Sequence, residues 1–534
     1  MSHLLTLLVA GHRAPPRLPE GAPLDRLYAR LEQIITACGA EPGGDRRLRL
    51  LTGVAPGTDT AAADIAQRQG IPLHLLAPGL PEPLTSHQQA AERLVWLGAA
   101  DIRAHADEPL AIRDEVVLSF ADLVIILWDG AEPAGFSGGT VRLAFRAASM
   151  MKPLVWLDTQ GEVRLLNRTR LTPARRAQLR VPHPDPALLR DLFGAPLDES
   201  ALRPALQSEL DDYLRHCVQA APVGDASDPG PEVLQTRRER CSAEAKRLGR
   251  KHRLFSWLIY LASALAVFAA VAGAIGLWPG GHGSLWPITE LVLITGIVAG
   301  VTLAKTRDWH GRWISHRFIA EQLRYLGPCL PMLAIPEHFR EPVWRVKDGT
   351  LTLARPELLY LQRSLILQGL PQVEAGPYLP GTLTAQAQQL ELIRQELERQ
   401  KNYHAAKHHH LHRQHHILHR MALGLFGMTF LAVILHFVLH AAWLLIFTAF
   451  FPALAAALHG ISVKLEIGRL AGQSHAAAEE LTALLEAYRT VAPEETWEGW
   501  LRIRQLTLAA AHVMSRENLQ WQELISHQGA ELPA

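Results

Sequence analysis

Cysteine is scarce in this chain of 534 residues, and its four cysteines are scattered. No two of them form a CxxC pair of the kind that holds zinc or makes a redox centre. Their number and spacing argue against a disulfide framework and indicate reduced thiols in a reducing compartment. The four are Cys38, Cys217, Cys241 and Cys329.

Net charge is also nearly absent, since 53 Lys and Arg balance 52 Asp and Glu to leave +1. Proteins that bind nucleic acid usually have a strongly basic face, so composition gives no reason to expect that partner. No HExxH or Walker-type loop occurs in the sequence. Residues Gly135–Gly139 formally match GxSxG, but a loop separates Ser137 from the preceding predicted strand. A nucleophile elbow needs its serine on a sharp strand-to-helix turn, so we assign no catalytic residues.

Two long stretches lack Asp, Glu, Lys and Arg altogether. Leu254–Leu277 is long enough to cross the roughly 30 Å hydrocarbon core, and Met421–Val463 is about twice the length of one crossing. A further apolar segment, Trp286–Ala304, is interrupted by Glu290. We predict four membrane helices in two hairpins, with one long tilted helix as the alternative for the second stretch. The predicted crossings are residues 254–278, 286–304, 421–437 and 442–460.

Basic residues flank these segments on one side only. Arg237–Arg253 is rich in Lys and Arg, whereas the turns Pro279–Leu285 and His436–Trp443 contain neither. Because basic flanks stay in the cytoplasm, we expect the N- and C-termini to be cytoplasmic. The basic segment is also expected to contact anionic lipid.

Residues 1–160 alternate apolar strands with helices. Leu4–Ala10 lacks the basic start and cleavage site of a signal peptide and predicts the first strand. Asp122–Trp128 is a nearly continuous apolar run, as in strands that are buried on both faces. The pattern predicts a Rossmann-like α/β domain with a doubly wound parallel sheet.

The remaining sequence divides into four parts. Residues 161–231 predict a helical extension and a linker. Residues 232–330 and 386–534 predict two helical units, each with a polar helix, a membrane hairpin and cytoplasmic helices, in a weak internal repeat. Residues 331–385 are interrupted by proline and predict an irregular connector.

Three Gly-rich or charged turns are predicted at the carboxyl edge of the sheet, where ligands of open parallel sheets bind. They are Gly11–Arg13, Thr52–Asp59 and the segment Asp129–Thr140. Glycine lets the backbone approach a phosphate, and amides at a helix N-terminus hold the anion. One such turn is more often structural, whereas three at one edge favour a ligand pocket.

The segments LLVAGHR, TGVAPGTDTAA, ADLVIILWDG and SGGTVRLAFRA resemble the SLOG branch of Rossmannoid domains, which is related to the LOG and DprA proteins. The resemblance covers about residues 3–160. It implies a pocket for a nucleotide or ADP-ribose-type ligand, without a separate cofactor. The residues that it places in this pocket are Gly11, Arg13, Gly53, Gly57, Thr58, Asp59, Asp129, Gly138, Gly139 and Thr140.

One position departs from that family. LOG phosphoribohydrolases carry a glutamate after the glycine turn, whereas Thr140 is followed here by Val141, Arg142 and Leu143. The departure favours a ligand sensor over an enzyme. The alternative is a membrane-anchored nucleotide-processing enzyme of the phosphoribohydrolase type, in which Asp59 or Asp129 would supply the carboxylate.

The membrane half resembles the SLATT type of two-helix effector in its basic helix, apolar hairpin and following helix HRFIAEQLRYL. This resemblance implies a ligand-gated, pore-forming or membrane-disrupting effector of bacterial antiphage defence in the inner (plasma) membrane. We expect a homo-oligomer, because four apolar helices enclose little aqueous space alone.

Eight histidines lie between His404 and His419, several of them four residues apart on a predicted helix. Such pairs can bind zinc, copper or nickel, and imidazoles also titrate at about pH 6 to 6.5. We favour a solvated helix and therefore expect no metal site. Glu290 either faces a pore or lies at the outer interface, exposed to water.

Overall fold

The computed structural model describes residues 3–12, 18, 20–39, 46–53, 55–79, 85–98, 101–102, 105, 108–131, 139–222, 234–277, 285–340, 344–347, 350–374 and 376–526. The chain divides into two units, each described by itself. The α/β unit comprises Met1–Arg238, Gln322–Ile393 and Thr490–His512. The helical unit comprises Glu239–Glu321, Arg394–Arg489 and Val513–Ala534.

Seven strands form the sheet of the α/β unit: β1 (His3–Gly11), β2 (Arg46–Thr52), β3 (Leu73–Pro78), β4 (Arg93–Leu97), β5 (Leu123–Leu127), β6 (Leu154–Leu157) and β7 (Val163–Leu165). Their order is β4-β3-β2-β1-β5-β6-β7. All neighbours are parallel except β6 and β7. Leu7 of β1 pairs with Leu50 on one side and Leu123 on the other, so β1 is central.

Helices alternate with the first six strands and then extend the unit. The strand order reverses after β4, because the chain crosses from one side of β1 to the other to form β5. The predicted parallel α/β domain is therefore confirmed. Its first eight helices are α1 (Ala22–Cys38), α2 (Thr58–Arg68), α3 (Ser86–Ala90), α4 (Glu108–Ser119), α5 (Thr140–Ser149), α6 (Pro173–Leu179), α7 (Pro186–Arg190) and α8 (Glu199–Gln219).

Among the described residues, the longest helices lie in the later chain, and four of its segments are long and apolar enough to cross a membrane. Its elements are α9 (Leu234–Ala274), α10 (Leu285–Thr306), α11 (Trp309–Cys329), α12 (Glu337–Arg340), β8 (Trp344–Lys347), β9 (Thr350–Leu353), α13 (Pro356–Gln368), α14 (Leu383–Leu439), α15 (Leu444–Lys464), α16 (Ile467–Arg489) and α17 (Trp497–Ser526).

Helix α13 belongs to the core of the α/β unit, although it follows two membrane segments in sequence. Every residue from Leu358 to Leu367 is buried. A helix that is enclosed on all sides must satisfy its polar groups internally. Its Arg363 pairs with Asp122 at 2.6 Å, and both side chains are almost fully buried. Residues 331–385, expected to form an irregular connector, thus contain a core helix.

The first pair of membrane segments is antiparallel. Gly273 near the end of α9 abuts Trp286 at the start of α10, and Gly300 near the end of α10 abuts Phe255. Glycine at these two positions lets the helices approach closely, as is common between membrane helices. Helix α9 ends at Ala274, before the expected residue 278, and Gly276 follows in a left-handed conformation with φ of 64°.

The second pair is also antiparallel. Leu418 of α14 packs with Leu458 of α15 in one apolar cluster. His415 Nδ1 lies 3.3 Å from Ser462 Oγ. This contact is about one helical turn away from the Leu418–Leu458 contact, toward the helix ends that the sequence predicts to be cytoplasmic. Helix α14 ends at Leu439 and α15 begins at Leu444, so the long charge-free stretch forms two helices and not one.

Candidate functional site

The carboxyl ends of β1 and β5 lie side by side at the point where the strand order reverses. A crevice at this position is the usual ligand site of open α/β sheets. His12 follows β1, and Asp129 follows β5 by two residues. His12 Nε2 lies 2.9 Å from Asp129 Oδ1, so the two side chains meet across the switch point. They are 8% and 21% exposed, so Asp129 remains accessible to solvent.

The turn between β2 and α2 packs tightly against the end of β1. Thr58 Oγ1 donates a hydrogen bond to the carbonyl oxygen of His12 at 3.1 Å. A Cβ atom on Gly11 would overlap the Thr58 side chain. Gly57 caps α2 with φ of 107°, a conformation that L side chains rarely adopt. These glycines let the N-terminus of α2 approach the switch point.

A series of buried ionic contacts connects helix α4 to the same edge of the sheet. Asp59 lies against Gly53, where an added Cβ atom would overlap the carboxylate and approach Arg113 Nη1 to 3.3 Å. Arg113 Nη2 donates to Asp114 Oδ1 at 2.6 Å. Burial of Arg113 opposes its charge, but the carboxylates of Asp114 and Asp59 outweigh that effect and raise its pKa.

Asp114 also reaches the glycine turn before α5. The backbone N–H of Gly139 donates to Asp114 Oδ2 at 2.9 Å, and Asp114 is 1% exposed. Its carboxylate therefore stabilises the positive end of α5 as an anion would. A phosphate that used the Gly139 amide would have to displace this internal carboxylate.

The structure brings together most of the residues that the sequence analysis placed in the pocket. Gly11, Gly53, Gly57, Thr58 and Asp59 surround the start of α2, Asp129 lies at the switch point, and Gly139 and Thr140 begin α5. Arg13 and Gly138 lie outside the described residues, as does Ser137 of the formal GxSxG match.

Sequence reasoning missed His12, Arg113 and Asp114 as parts of this site. His12 stood inside a predicted turn without an assigned role. Arg113 and Asp114 lie on α4, a helix that the sequence analysis did not predict. The available signal was the charged triplet Arg113-Asp114-Glu115 between apolar residues in AIRDEVVLS, because buried charges are normally paired.

The positions after Thr140 offer no carboxylate to the glycine turn. Val141 and Leu143 are buried, and Arg142 donates to the carbonyl oxygen of Pro182 at 2.7 Å. The carboxylate that contacts Gly139 is instead that of Asp114, whose oxygens are engaged by Arg113 and by the Gly139 amide.

A second charged cluster follows β4. Asp101 Oδ1 accepts from the Trp497 backbone N–H at 2.7 Å, and His105 Nε2 lies 3.1 Å from Glu498 Oε1. Asp101, His105 and Glu498 could together hold a cation. These contacts also account for the three residues as a tether between the segment after β4 and the start of α17.

The histidine-rich stretch forms one continuous part of α14. His412 Nε2 and His416 Nε2 are 3.2 Å apart on an exposed face. His408 stacks on His475 of α16, with ring centroids 4.8 Å apart. Glu290, on α10, is half-buried.

No known protein family, curated protein or solved structure matches this chain.

Proposed function

We propose that this protein is a ligand-gated membrane effector whose α/β unit senses a nucleotide or ADP-ribose-type molecule. The observation that carries the proposal is the charged switch point, where His12 and Asp129 meet between the N-termini of two glycine-capped helices. The same chain has four segments that are able to cross a membrane. A pocket that recognises a soluble signal and a part that responds in the bilayer are the two components of such an effector.

The switch point offers two kinds of group to a nucleotide. Asp129 is suited to accept hydrogen bonds from ribose hydroxyls, as acidic residues do in dinucleotide sites. The positive ends of α2 and α5 favour a phosphate anion. Ligand phosphate would compete with Asp114 for the Gly139 amide, which links binding to a rearrangement of the buried charges around Arg113.

The bilayer-facing half supports the second part of the proposal. Many apolar side chains of α10, α14 and α15 are exposed, including Leu291, Phe430 and Phe437. Contiguous apolar surface of this kind requires lipid or another copy of the chain. We propose that the protein lies in the bacterial inner membrane with both termini in the cytoplasm, and that copies assemble into a pore or a membrane lesion.

Ligand shifts the equilibrium only if it binds the active state more tightly than the resting state. The two units are continuous in sequence through several helices, for example α14, which has residues in both. A local change at the switch point therefore has a covalent path toward the membrane segments.

Dye release from liposomes that contain the full-length protein tests this function. Adenosine monophosphate, NAD and ADP-ribose are added separately, and the concentration for half-maximal release is measured. The double variant His12→Gln/Asp129→Asn should raise that concentration about tenfold or more, since it removes charge from the switch point. The matched control His87→Gln/Asp64→Asn alters a surface His–Asp pair of the same unit and should leave it unchanged.

Two results contradict the proposal. Dye release that is insensitive to all three compounds would contradict a nucleotide signal. An equal loss of sensitivity to the compounds in both double variants would show that the switch point is not the specific binding site. Turnover of a nucleotide by the full chain, followed by chromatography, would instead favour the alternative of a membrane-anchored nucleotide-processing enzyme.

A further inference from the structure

The helical unit contains a cavity of about 530 Å³ that is partly open to its surroundings. It lies among α9, α11, α14 and the segment that joins α15 to α16. Four cationic side chains line it: Arg253, Arg317, Lys407 and Lys464. Two histidines, His252 and His410, add polar nitrogen atoms to the same wall.

The charge of this cavity has one sign. No Asp or Glu is among the described residues that line it. A negatively charged group that entered the cavity would meet four cationic side chains and no carboxylate among the described lining residues, so the lining favours an anion.

Apart from Gln414, the remainder of the lining is apolar and aromatic. Trp257 and Leu411 pack on the cluster formed by Leu418, Leu458 and Ile467, and Met421 extends the apolar wall. A small hydrophilic anion would leave this surface without a partner. An amphiphile would cover both the cations and the apolar wall.

The position of the cavity along the chain agrees with an amphiphile. Arg253 directly precedes the first charge-free stretch, and Lys464 directly follows the second, which begins at Met421. All three residues line the cavity. Arg253 and Lys464 therefore lie at the ends of the apolar segments, at the level where lipid head groups meet the hydrocarbon core.

We infer that this cavity binds an anionic phospholipid, with the head-group phosphate among Arg253, Arg317, Lys407 and Lys464 and an acyl chain along Trp257, Leu418 and Met421. The inference does not depend on the proposed nucleotide signal, because it concerns a different unit and different residues. It is also narrower than general attraction of basic residues to anionic lipid, since it assigns one lipid to one cavity.

Native mass spectrometry of the full-length protein in detergent tests the site. The protein is titrated with phosphatidylglycerol and, separately, with phosphatidylcholine. The wild-type chain should retain phosphatidylglycerol in preference to phosphatidylcholine. The variant Arg253→Gln/Lys464→Gln should lower the apparent affinity for phosphatidylglycerol about tenfold or more.

The matched control is Arg250→Gln/Arg420→Gln, which removes the same charge from exposed residues of α9 and α14 that lie outside the cavity lining. It should retain the lipid as the wild-type chain does. An equal loss of affinity for phosphatidylglycerol in the two double variants would overturn the inference, because the lipid would then be bound by general electrostatic attraction to basic residues.

A third arm separates lipid from soluble phosphate compounds. Adenosine monophosphate is added to the lipid-free protein in neutral detergent, and its binding is compared between the two double variants. Binding that is lost only in Arg253→Gln/Lys464→Gln would overturn the lipid assignment and make the cavity a nucleotide site. Unchanged binding in both variants, together with selective loss of phosphatidylglycerol, supports the inference.

Discussion

The absence of a Cβ atom at two glycines determines how closely the elements at the switch point approach one another. Gly11 ends β1 at the place where the Thr58 side chain passes, and Gly53 leaves room for the Asp59 carboxylate. Both glycines are needed for close packing, and neither has a positive φ. Their role is therefore steric, whereas Gly57 and Gly139 are needed for their backbone conformation, with φ of 107° and 109°.

Replacing Gly11 by alanine should destabilise the α/β unit. The added methyl group would overlap Thr58 and move the start of α2, and overpacking of this kind costs about 1–3 kcal/mol. Thermal unfolding of the full chain in detergent measures the change. Gly327→Ala is the control, because a Cβ there meets nothing within 4 Å in helix α11. It should be neutral or stabilise by up to about 1 kcal/mol.

Two buried histidines should make the α/β unit sensitive to acid. Burial lowers the pKa of His74 from 6.5 to about 4, and burial also lowers the pKa of His338 to about 4. The charged groups around His74 are Arg49, Arg93 and Glu92. Because the unfolded chain binds these protons more tightly, stability should fall as the pH drops from 6.5 toward 4.

The measurement is the midpoint of thermal unfolding between pH 7 and pH 5. Each buried histidine contributes a slope of up to about 1.4 kcal/mol per pH unit within that window. His74→Gln should reduce the slope, and the exposed control His183→Gln should leave it unchanged. An identical slope in wild type and His74→Gln would rule out His74 as a source of the acid sensitivity.

At the scale of elements, helix α13 completes the core of the α/β unit, although it comes from a part of the chain that is distant in sequence from the sheet. Asp122 holds it in place, because its carboxylate accepts hydrogen bonds from the Thr6 amide, the Tyr213 hydroxyl and Arg363. Arg49 adds a hydrogen bond to the carbonyl oxygen of Ile366 at 2.9 Å. The sheet is thus joined to a helix more than two hundred residues downstream by a buried ion pair.

Removing one partner of this pair should cost more than removing both. Arg363→Leu leaves the Asp122 charge buried without its cation and should destabilise the unit by about 3–5 kcal/mol. The double variant Arg363→Leu/Asp122→Asn should be less destabilised than the single variant. Hydrogen exchange of the β1 and β5 amides in the full chain measures the loss of stability in each variant. If the two substitutions had additive effects on stability, Arg363 and Asp122 would not be energetically coupled.

For the whole molecule, the distribution of charge predicts a definite topology. Both turns of the membrane hairpins should lie outside the cytoplasm, because they lack Lys and Arg. Alkaline phosphatase is active only outside the cytoplasm, so it should be active when inserted after His440 and inactive when fused to Ala534. Green fluorescent protein should give the opposite pattern. Phosphatase activity at Ala534 would contradict a cytoplasmic C-terminus.

The amino-acid sequence alone determined the elements whose signal is local. Strand β5 is a continuous apolar run, and β1 is apolar from Leu4 to Ala10 apart from Thr6. The membrane segments are charge-free over the length of a bilayer except for Glu290, so composition within each window was sufficient. The three turns at the carboxyl edge followed from strand direction, since parallel strands end on the same side. These features were predictable because they depend on neighbouring residues.

Only the tertiary structure decided which distant residues complete the α/β unit. Asp114 reaches Gly139, and Arg363 reaches Asp122, through contacts between residues that are far apart in sequence. A helix such as α13 owes its place to the buried surface and paired charge that it finds there, and its own proline-flanked sequence does not specify the partner. The cationic cavity likewise exists only once Arg253, Arg317, Lys407 and Lys464 converge from separate helices.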